Sequence, residues 1–439
     1  MRNVNLSQHF PGLWKQGLGW LLLLGPLFFF TYGQVNQFTA TRQDVGSVVF
    51  SWEKGIPFVP WTIVPYWSID ILYGISLFIC TSRQELTRHG YRLAAASLIA
   101  CTVFLLFPLR FTFSRPHTEG ILGWLFQQLE QFDLPYNQAP SLHIILAWLL
   151  WLRFRRHLHG TVSVLAGLWF MLIAVSVLTT WQHHCIDVIS GLIAGIMISY
   201  LIPVTGGWRW RQPDRRALGL ALRYSGGAAA LMLTGLLLPY GYGLYWPALS
   251  LALVAAAYGG FGTAVFQKSA HGEMTLSARI VLLPYLWGAQ ACRGVFMRKL
   301  PQYAVIIDGV SLGGFPNKHI HQAAVLDLAS ECVRASAPVT PWHTCPLLDL
   351  VVPEPCQVME GVAQLRLLRE QHDSVLVCCA LGLSRSAMLV AAWLLTEGYD
   401  RTAQEAVARI QACRPQIILT AGHHALLQQI ERAVWQTPL

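Results

Sequence analysis

The stretch Val377-Cys378-Cys379-Ala380-Leu381-Gly382-Leu383-Ser384-Arg385-Ser386 decides how the last third of this 439-residue chain is read. A β-rich run, Ser374–Cys378, leads into it, and an apolar run with helical spacing, Ser386–Glu397, leaves it. A strand that turns through a short loop into a helix N-terminus points backbone N–H groups at one spot, where the helix dipole favours negative charge. Gly382 lets the loop turn tightly. Arg385 adds a bidentate clamp for a phosphoryl group. The same positive field favours a thiolate on Cys379 and makes it a nucleophile.

Outward from this loop, β-rich runs recur at Tyr303–Ile307 and Ala324–Leu328, and helical runs at Thr402–Ala412 and Ala421–Val434. Alternating strands and helices predict a compact α/β domain over residues 301–439, an ordinary domain size. Seven of the ten cysteines follow residue 290, at spacings that fit no disulfide framework. They are expected to be reduced in a cytoplasmic domain, most of them as small buried hydrophobes. Asp327 and Glu331 read as structural, and His319 and His321 as surface residues.

The rest of the chain has a different character. Only 12% of the whole is charged, against about a quarter in an ordinary soluble chain, and 54% is hydrophobic. That excludes a disordered chain, a secreted disulfide scaffold and a soluble enzyme as the whole answer. The net charge of +9 lies entirely before residue 271, where 18 basic side chains face 9 acidic ones. It therefore follows the apolar part and is no sign of nucleic acid.

Eight apolar runs are long enough to be read as membrane spans: 17–32, 61–80, 93–109, 140–152, 161–180, 185–204, 224–240 and 247–266. The first, preceded by Arg2 and Lys15, reads as an uncleaved anchor. With the N-terminus inside, inner loops carry eleven basic residues and outer loops only Arg42, Lys54, Arg110 and Arg115. The chain then re-enters the cytoplasm near Lys268. Arg279–Arg298, interrupted by Pro284, reads as a helix on the membrane surface. The predicted organisation is a polytopic α-helical membrane bundle over 1–268 (core 60–205), a juxtamembrane linker over 269–300, and the α/β domain.

The C-terminal segment resembles the cysteine-dependent protein tyrosine and dual-specificity phosphatases, whose signature is C-x5-R followed by Ser or Thr. The likeness covers roughly the last 140 residues. It implies that Cys379 forms a phosphocysteine, that Arg385 and the loop at Gly382 bind phosphate, and that Ser386 stabilises the departing thiolate. Asp349, thirty residues before the cysteine, would be the general acid. Cys378 stands where the family has His, and either lowers activity or acts as a resolving thiol towards Cys379.

Three polar clusters interrupt the apolar runs: Phe113-Ser114-Arg115-Pro116, Ala139-Pro140-Ser141-Leu142-His143 and Gln182-His183-His184-Cys185-Ile186-Asp187. All fall at the outer ends of spans three to six, where ionisable groups are costly and mark function. His183 and Asp187 are spaced i, i+4, which on a helix lets the carboxylate hold one imidazole nitrogen. His184 would face about 100° away from His183. These clusters resemble the motifs K-x6-R-P, P-S-G-H and S-R-x5-H-x3-D of the type 2 phosphatidic acid phosphatases. The likeness implies a nucleophilic His183 oriented by Asp187, His143 as general acid and Arg115 as a phosphate ligand. Pro108, Leu142 and Val177 depart from the motifs, and bring the chain closer to the inositol-phosphorylceramide and sphingomyelin synthases. A bland reading makes His143 a helix cap, and a zinc site on His183, His184, Cys185 and Asp187 lacks a dedicated fourth ligand. Gly191 and Gly195 read as a close helix contact.

Bacterial fusions of these two families share the layout. The resemblance thus implies a multi-pass protein of the bacterial inner membrane that hydrolyses phosphomonoesters of a lipid head group or a phosphoprotein. Its two sites would face opposite sides of the membrane. It calls for no cofactor, no metal and no nucleic acid. The alternatives are a bundle that transfers phospholipid head groups, or one that only anchors the cysteine phosphatase.

Overall fold

A computed structural model describes residues 12–316, 320–334 and 340–435. Arg2 and His319 lie outside the described residues. The chain divides into two compact units, Met1–Thr205 and Gly206–Leu439.

The first unit is helical: α1 (Leu13–Ala40), α2 (Ile63–Ser76), α3 (Arg83–Leu106), α4 (Gly120–Phe132), α5 (Leu142–His157), α6 (Gly160–Thr179) and α7 (Cys185–Leu201). Ser82 caps α3 by accepting a hydrogen bond from Glu85 N at 3.2 Å, satisfying one of the helix's free donors. Leu86, Leu93, Ala96 and Ala100 recur along one face of α3 and are fully buried. Gly191 and Gly195 let α7 approach α5: a Cβ on Gly191 would meet Ser141 O at 2.7 Å, and one on Gly195 would meet Trp148 at 3.2 Å. Outward faces are apolar too; α6 exposes Val162, Val164, Leu165, Leu168 and Met171.

α1, α3 and α6 are long and apolar enough to cross a membrane, whereas the second, fourth and sixth expected spans form shorter helices. Pro60 opens a separate 3-10 turn before α2, and Pro140-Ser141 delays α5. α4 was not expected, because its Gln127, Gln128 and Glu130 interrupt the apolar pattern. Two of the eleven basic residues assigned to inner loops are buried within helices instead. Arg153 pairs with buried Glu85, which His157 Nε2 also reaches at 2.9 Å. Arg92 donates to Ile202 O at 2.8 Å and Ser199 O at 2.9 Å.

The second unit begins with α8 (Arg215–Leu237) and α9 (Tyr245–Ala256), packed side by side. α8 and the longer helical run Gly241–Phe266 again have the length and hydropathy of membrane spans. α10 (Leu276–Val281) and α11 (Leu283–Met297) follow, with Pro284 in the first turn of α11, where its missing N–H costs nothing. Then come β1 (Tyr303–Ile307), β2 (Val310–Gly314), β3 (Ala324–Ala329), β4 (Trp342–Leu347), α12 (Pro355–Gln371), β5 (Val375–Cys379), α13 (Arg385–Thr396), α14 (Ala403–Cys413) and α15 (Ala421–Trp435).

The strands form one mixed sheet in the order β1-β2-β5-β3-β4, parallel except for the β1–β2 hairpin. Its main core joins Val310, Leu312, Leu326 and Val377 to Leu365, Leu389, Leu394 and Leu427 of the helices. Successive strand residues face opposite sides. Cys379 accordingly lies in this core, while Cys378 lies in a smaller cluster with Phe315, Val325 and Trp342.

Candidate active site

β5 ends on Cys379 and α13 begins on Arg385, so residues 380–384 form the loop between them. Gly382 has φ +71°, and a Cβ there would stand 2.3 Å from Gly313 C and 2.6 Å from Gly314 N. The loop therefore lies directly on the glycine pair that ends β2. From the other side Arg414, fully buried, donates from Nε to Gly382 O at 2.8 Å and from Nη2 to Leu381 O at 3.1 Å. Thr420 N donates to His423 Nδ1 at 3.2 Å, which leaves the Nε2 hydrogen to face Ser384 Oγ at 3.4 Å. Burial holds the His423 imidazole below its ordinary pKa, so it serves as a neutral strut.

Cys379 Sγ is 3.3 Å from Ser386 Oγ. Arg385 is 1% exposed, and both terminal nitrogens of its guanidinium are engaged. Nη1 and Nη2 reach Glu331 Oε2 and Oε1 at 2.9 and 2.5 Å. Nη1 also donates to Leu347 O at 3.0 Å, and Nη2 pairs with Asp349 Oδ1 at 3.2 Å. Burial by itself would raise the Glu331 carboxyl, but the charge and hydrogen bonds of Arg385 outweigh it and hold the group down at about 2. The fork-to-fork pair fixes the guanidinium plane. Asp349 is the more exposed partner, at 40%, and so the one that can be displaced. Tyr258 Oη donates to Asp349 O at 3.1 Å and fixes that loop's backbone.

Below the loop lies a second buried pair. Lys268 Nζ is 2.6 Å from Asp327 Oδ2, both side chains being wholly buried, and donates to Ala329 O at 2.5 Å. Trp342 Nε1 donates to the same carboxylate at 3.2 Å. Burial pushes the Asp327 carboxyl up and Lys268 opposes it. Asp327 sits opposite Cys378 in the β3–β5 register. Because Cys378 and Cys379 face different cores, Cys378 is not placed as a resolving thiol. All ten cysteines are free. The structural reading of Asp327 and Glu331 overlooked both ion pairs. Neither had a sequence signal, since the partners lie 59 and 54 residues away.

The three polar clusters of the helical unit converge. The His143 and His183 rings are 6.4 Å apart, and His183 Nδ1 is 3.4 Å from Asp187 Oδ2. Ser141 N donates to Asp187 O at 3.0 Å. The pairing of His183 and Asp187 does not come from helical pitch, since α7 begins only at Cys185 with His184 as its N-cap. Asp187 instead accepts from His184 N at 2.8 Å. His184 Nδ1 bonds Glu53 Oε2 at 2.8 Å, and its Nε2 faces Thr112 Oγ1 at 3.2 Å. It thereby ties the segment before Arg115 to α7. Arg115 pairs with Glu130 at 2.7 Å, and Tyr66 stacks on the His143 ring at 4.0 Å. Glu53 and Tyr66 were invisible in the sequence, the first lying in a single 3-10 turn, the second inside an apolar run. Among the described residues no group of three or more His, Cys, Asp or Glu side chains is placed to hold a metal.

Residues 323–433 match the model of the dual specificity phosphatase catalytic domain. No curated protein matches the chain. Among solved structures, Tk-PTP in its active form is 21% identical over 30% of this chain and 97% of its own, with a TM-score of 0.28. PTPMT1 in complex with PI(5)P is 20% identical over 30% and 97%, with a TM-score of 0.28. Human DUSP28 is 18% identical over 30% and 95%, also at 0.28. On the family match, residues 323–433 form a dual specificity phosphatase catalytic domain, a phosphoric monoester hydrolase of the protein tyrosine/dual-specificity phosphatase type.

Proposed function

We propose that the chain is a membrane-bound phosphatase that works through a phosphocysteine on Cys379. The observation that carries this is the position of Cys379 Sγ at the base of the loop, 3.3 Å from Ser386 Oγ, with Arg385 held flat by Glu331. An incoming phosphoryl group takes the place of Asp349 on Arg385. Cys379 Sγ attacks phosphorus, the P–O ester bond breaks, and Asp349 gives its proton to the leaving oxygen. Water then attacks phosphorus with Asp349 taking a proton, the P–S bond breaks, and Ser386 donates to the departing thiolate. Gly382 keeps the loop N–H groups directed at the phosphoryl oxygens.

The membrane location rests on the five long apolar helices, whose outward faces are apolar, as α6 shows. On this reading residues 1–268 form the bundle, 269–300 the juxtamembrane linker and 301–439 the catalytic domain, in a bacterial inner membrane with a cytoplasmic C-terminus. A second reading is favoured by the His143, His183 and Asp187 cluster: the helical unit holds a lipid-phosphate site of the type 2 phosphatidic acid phosphatase kind, with Arg115 as its phosphate ligand. Kinetics of the full chain in detergent on para-nitrophenyl phosphate test the first reading. Cys379→Ser should abolish turnover and Asp349→Asn lower kcat about 100-fold or more; unchanged turnover in both sinks it. Lipid profiling of cells expressing wild type or His183→Ala tests the second, and identical profiles count against it.

A further inference from the structure

We infer that the cysteine site takes its substrate from the lipid phase: a phosphomonoester carried on a long alkyl or acyl chain, which lies in a cleft between the catalytic loops and the chain's own apolar helices. This rests on the Cys379 reading and deepens it. A cleft of about 600 Å³ opens on Ala380 and Leu381, the two residues that follow the nucleophile, and on Asp349. Its opposite wall is not part of the α/β domain. Tyr224 of α8, Leu251 of α9 and Tyr285 of α11 supply it. The lining thus combines Glu331, Asp349 and Arg293 on the side of the catalytic loops with a mainly apolar helical wall, the pattern that an amphiphile matches.

The cleft also has direction. Asp349 marks the reacting end, its backbone held by the Tyr258 hydroxyl. Pro247 and Leu251, one turn apart on α9, both line it. At 1.5 Å per residue the cleft follows α9 over about 6 Å. Arg293, at the edge of the cleft, donates to Phe315 O at 2.9 Å and lies over the Phe315 ring. It adds a positive charge to the lining, suited to an anionic head group.

The test compares hexadecyl phosphate, butyl phosphate and a phosphotyrosyl peptide as substrates of the full chain in neutral-detergent micelles. Two cleft-filling variants, Gly288→Trp and Cys292→Trp, accompany the wild type. Both positions line the cleft, and a Cβ on Gly288 meets nothing within 4 Å, so the fold accommodates the change. Several buried methylenes are together worth more than about tenfold in kcat/KM. Wild type should therefore prefer hexadecyl over butyl phosphate by at least that factor. Each variant should lower the preference about tenfold while leaving butyl phosphate hydrolysis within about twofold. Partitioning into micelles is common to all three enzymes, so the change in ratio isolates the cleft. An unchanged ratio in both variants, or a peptide that outperforms hexadecyl phosphate in the wild type, overturns the inference while the phosphocysteine reading stands. Hydrolysis of all three substrates that survives Cys379→Ser overturns both.

Discussion

Replacing Glu331 by Gln removes the charge that holds Arg385 and leaves the shape of the side chain. The folded state holds the Glu331 carboxyl at about 2, against an ordinary 4.5. At 1.36 kcal/mol per pH unit, that difference corresponds to about 3 kcal/mol of stability at neutral pH. The figure agrees with the roughly 3–5 kcal/mol lost when one partner of a buried pair is removed. Asp349 remains as a half-exposed counter-charge at 3.2 Å, which places the cost at the lower end. The sign follows from a depressed carboxyl: the stabilisation is complete above about pH 4.5 and disappears as the pH falls towards 2. The gap between wild type and Glu331→Gln should therefore shrink from about 3 kcal/mol at pH 7 to about 1–2 kcal/mol at pH 3. Hydrogen exchange of the buried α13 amides, read by mass spectrometry on the full chain in detergent, measures the gap at both pH values. A variant within about 0.5 kcal/mol of wild type at pH 7, the range of an ordinary surface change, would refute the reasoning. So would a cost that is the same at pH 3 and pH 7.

Gly382→Ala combines a left-handed backbone with a Cβ 2.3 Å from Gly313 C; turnover of para-nitrophenyl phosphate should fall at least about tenfold, with destabilisation of about 1–3 kcal/mol. Lys268→Met strands the buried Asp327 carboxylate and should cost about 3–5 kcal/mol in the exchange assay, most of it recovered in the Lys268→Met, Asp327→Asn double variant. Tyr258→Phe frees the backbone of the Asp349 loop. As a positioning change it should lower kcat with KM unchanged, whereas a merely structural role would leave both unchanged in the folded fraction.

The sheet and the loop from Cys379 to Arg385 were legible because their signals are local. Strands β1, β3 and β5 and helices α13 to α15 fall within a residue of where alternation and spacing put them. β2 escaped because it ends on Gly313-Gly314, a pair that reads as a turn although it is the floor on which Gly382 lies. β4 escaped because Pro346 interrupts its pattern, and α12 because its start is the Pro355 that reads as a breaker, despite the Glu354–Gln357 capping box. Among site residues, those bound to the motif by sequence distance alone, Arg385, Ser386 and Asp349, were accessible. Glu331, Arg414, Lys268 and Tyr258 were not, since each acts through a contact made only when distant segments fold together. The helical unit repeats the pattern: its three clusters were visible as polar breaks in apolar runs, whereas Glu53, Tyr66 and the capping role of His184 depend on tertiary packing.

The most direct test of the central claim is the identity of the residue that becomes phosphorylated. The full chain, mixed with hexadecyl phosphate and quenched within one turnover in alkaline denaturant, which preserves phosphohistidine as well as phosphocysteine, is digested and its peptides mapped by mass spectrometry. A phosphoryl adduct is expected on the peptide holding Cys379, and none there in Cys379→Ser. An adduct on His183 or His143 alone, or turnover without any adduct on Cys379, would contradict it.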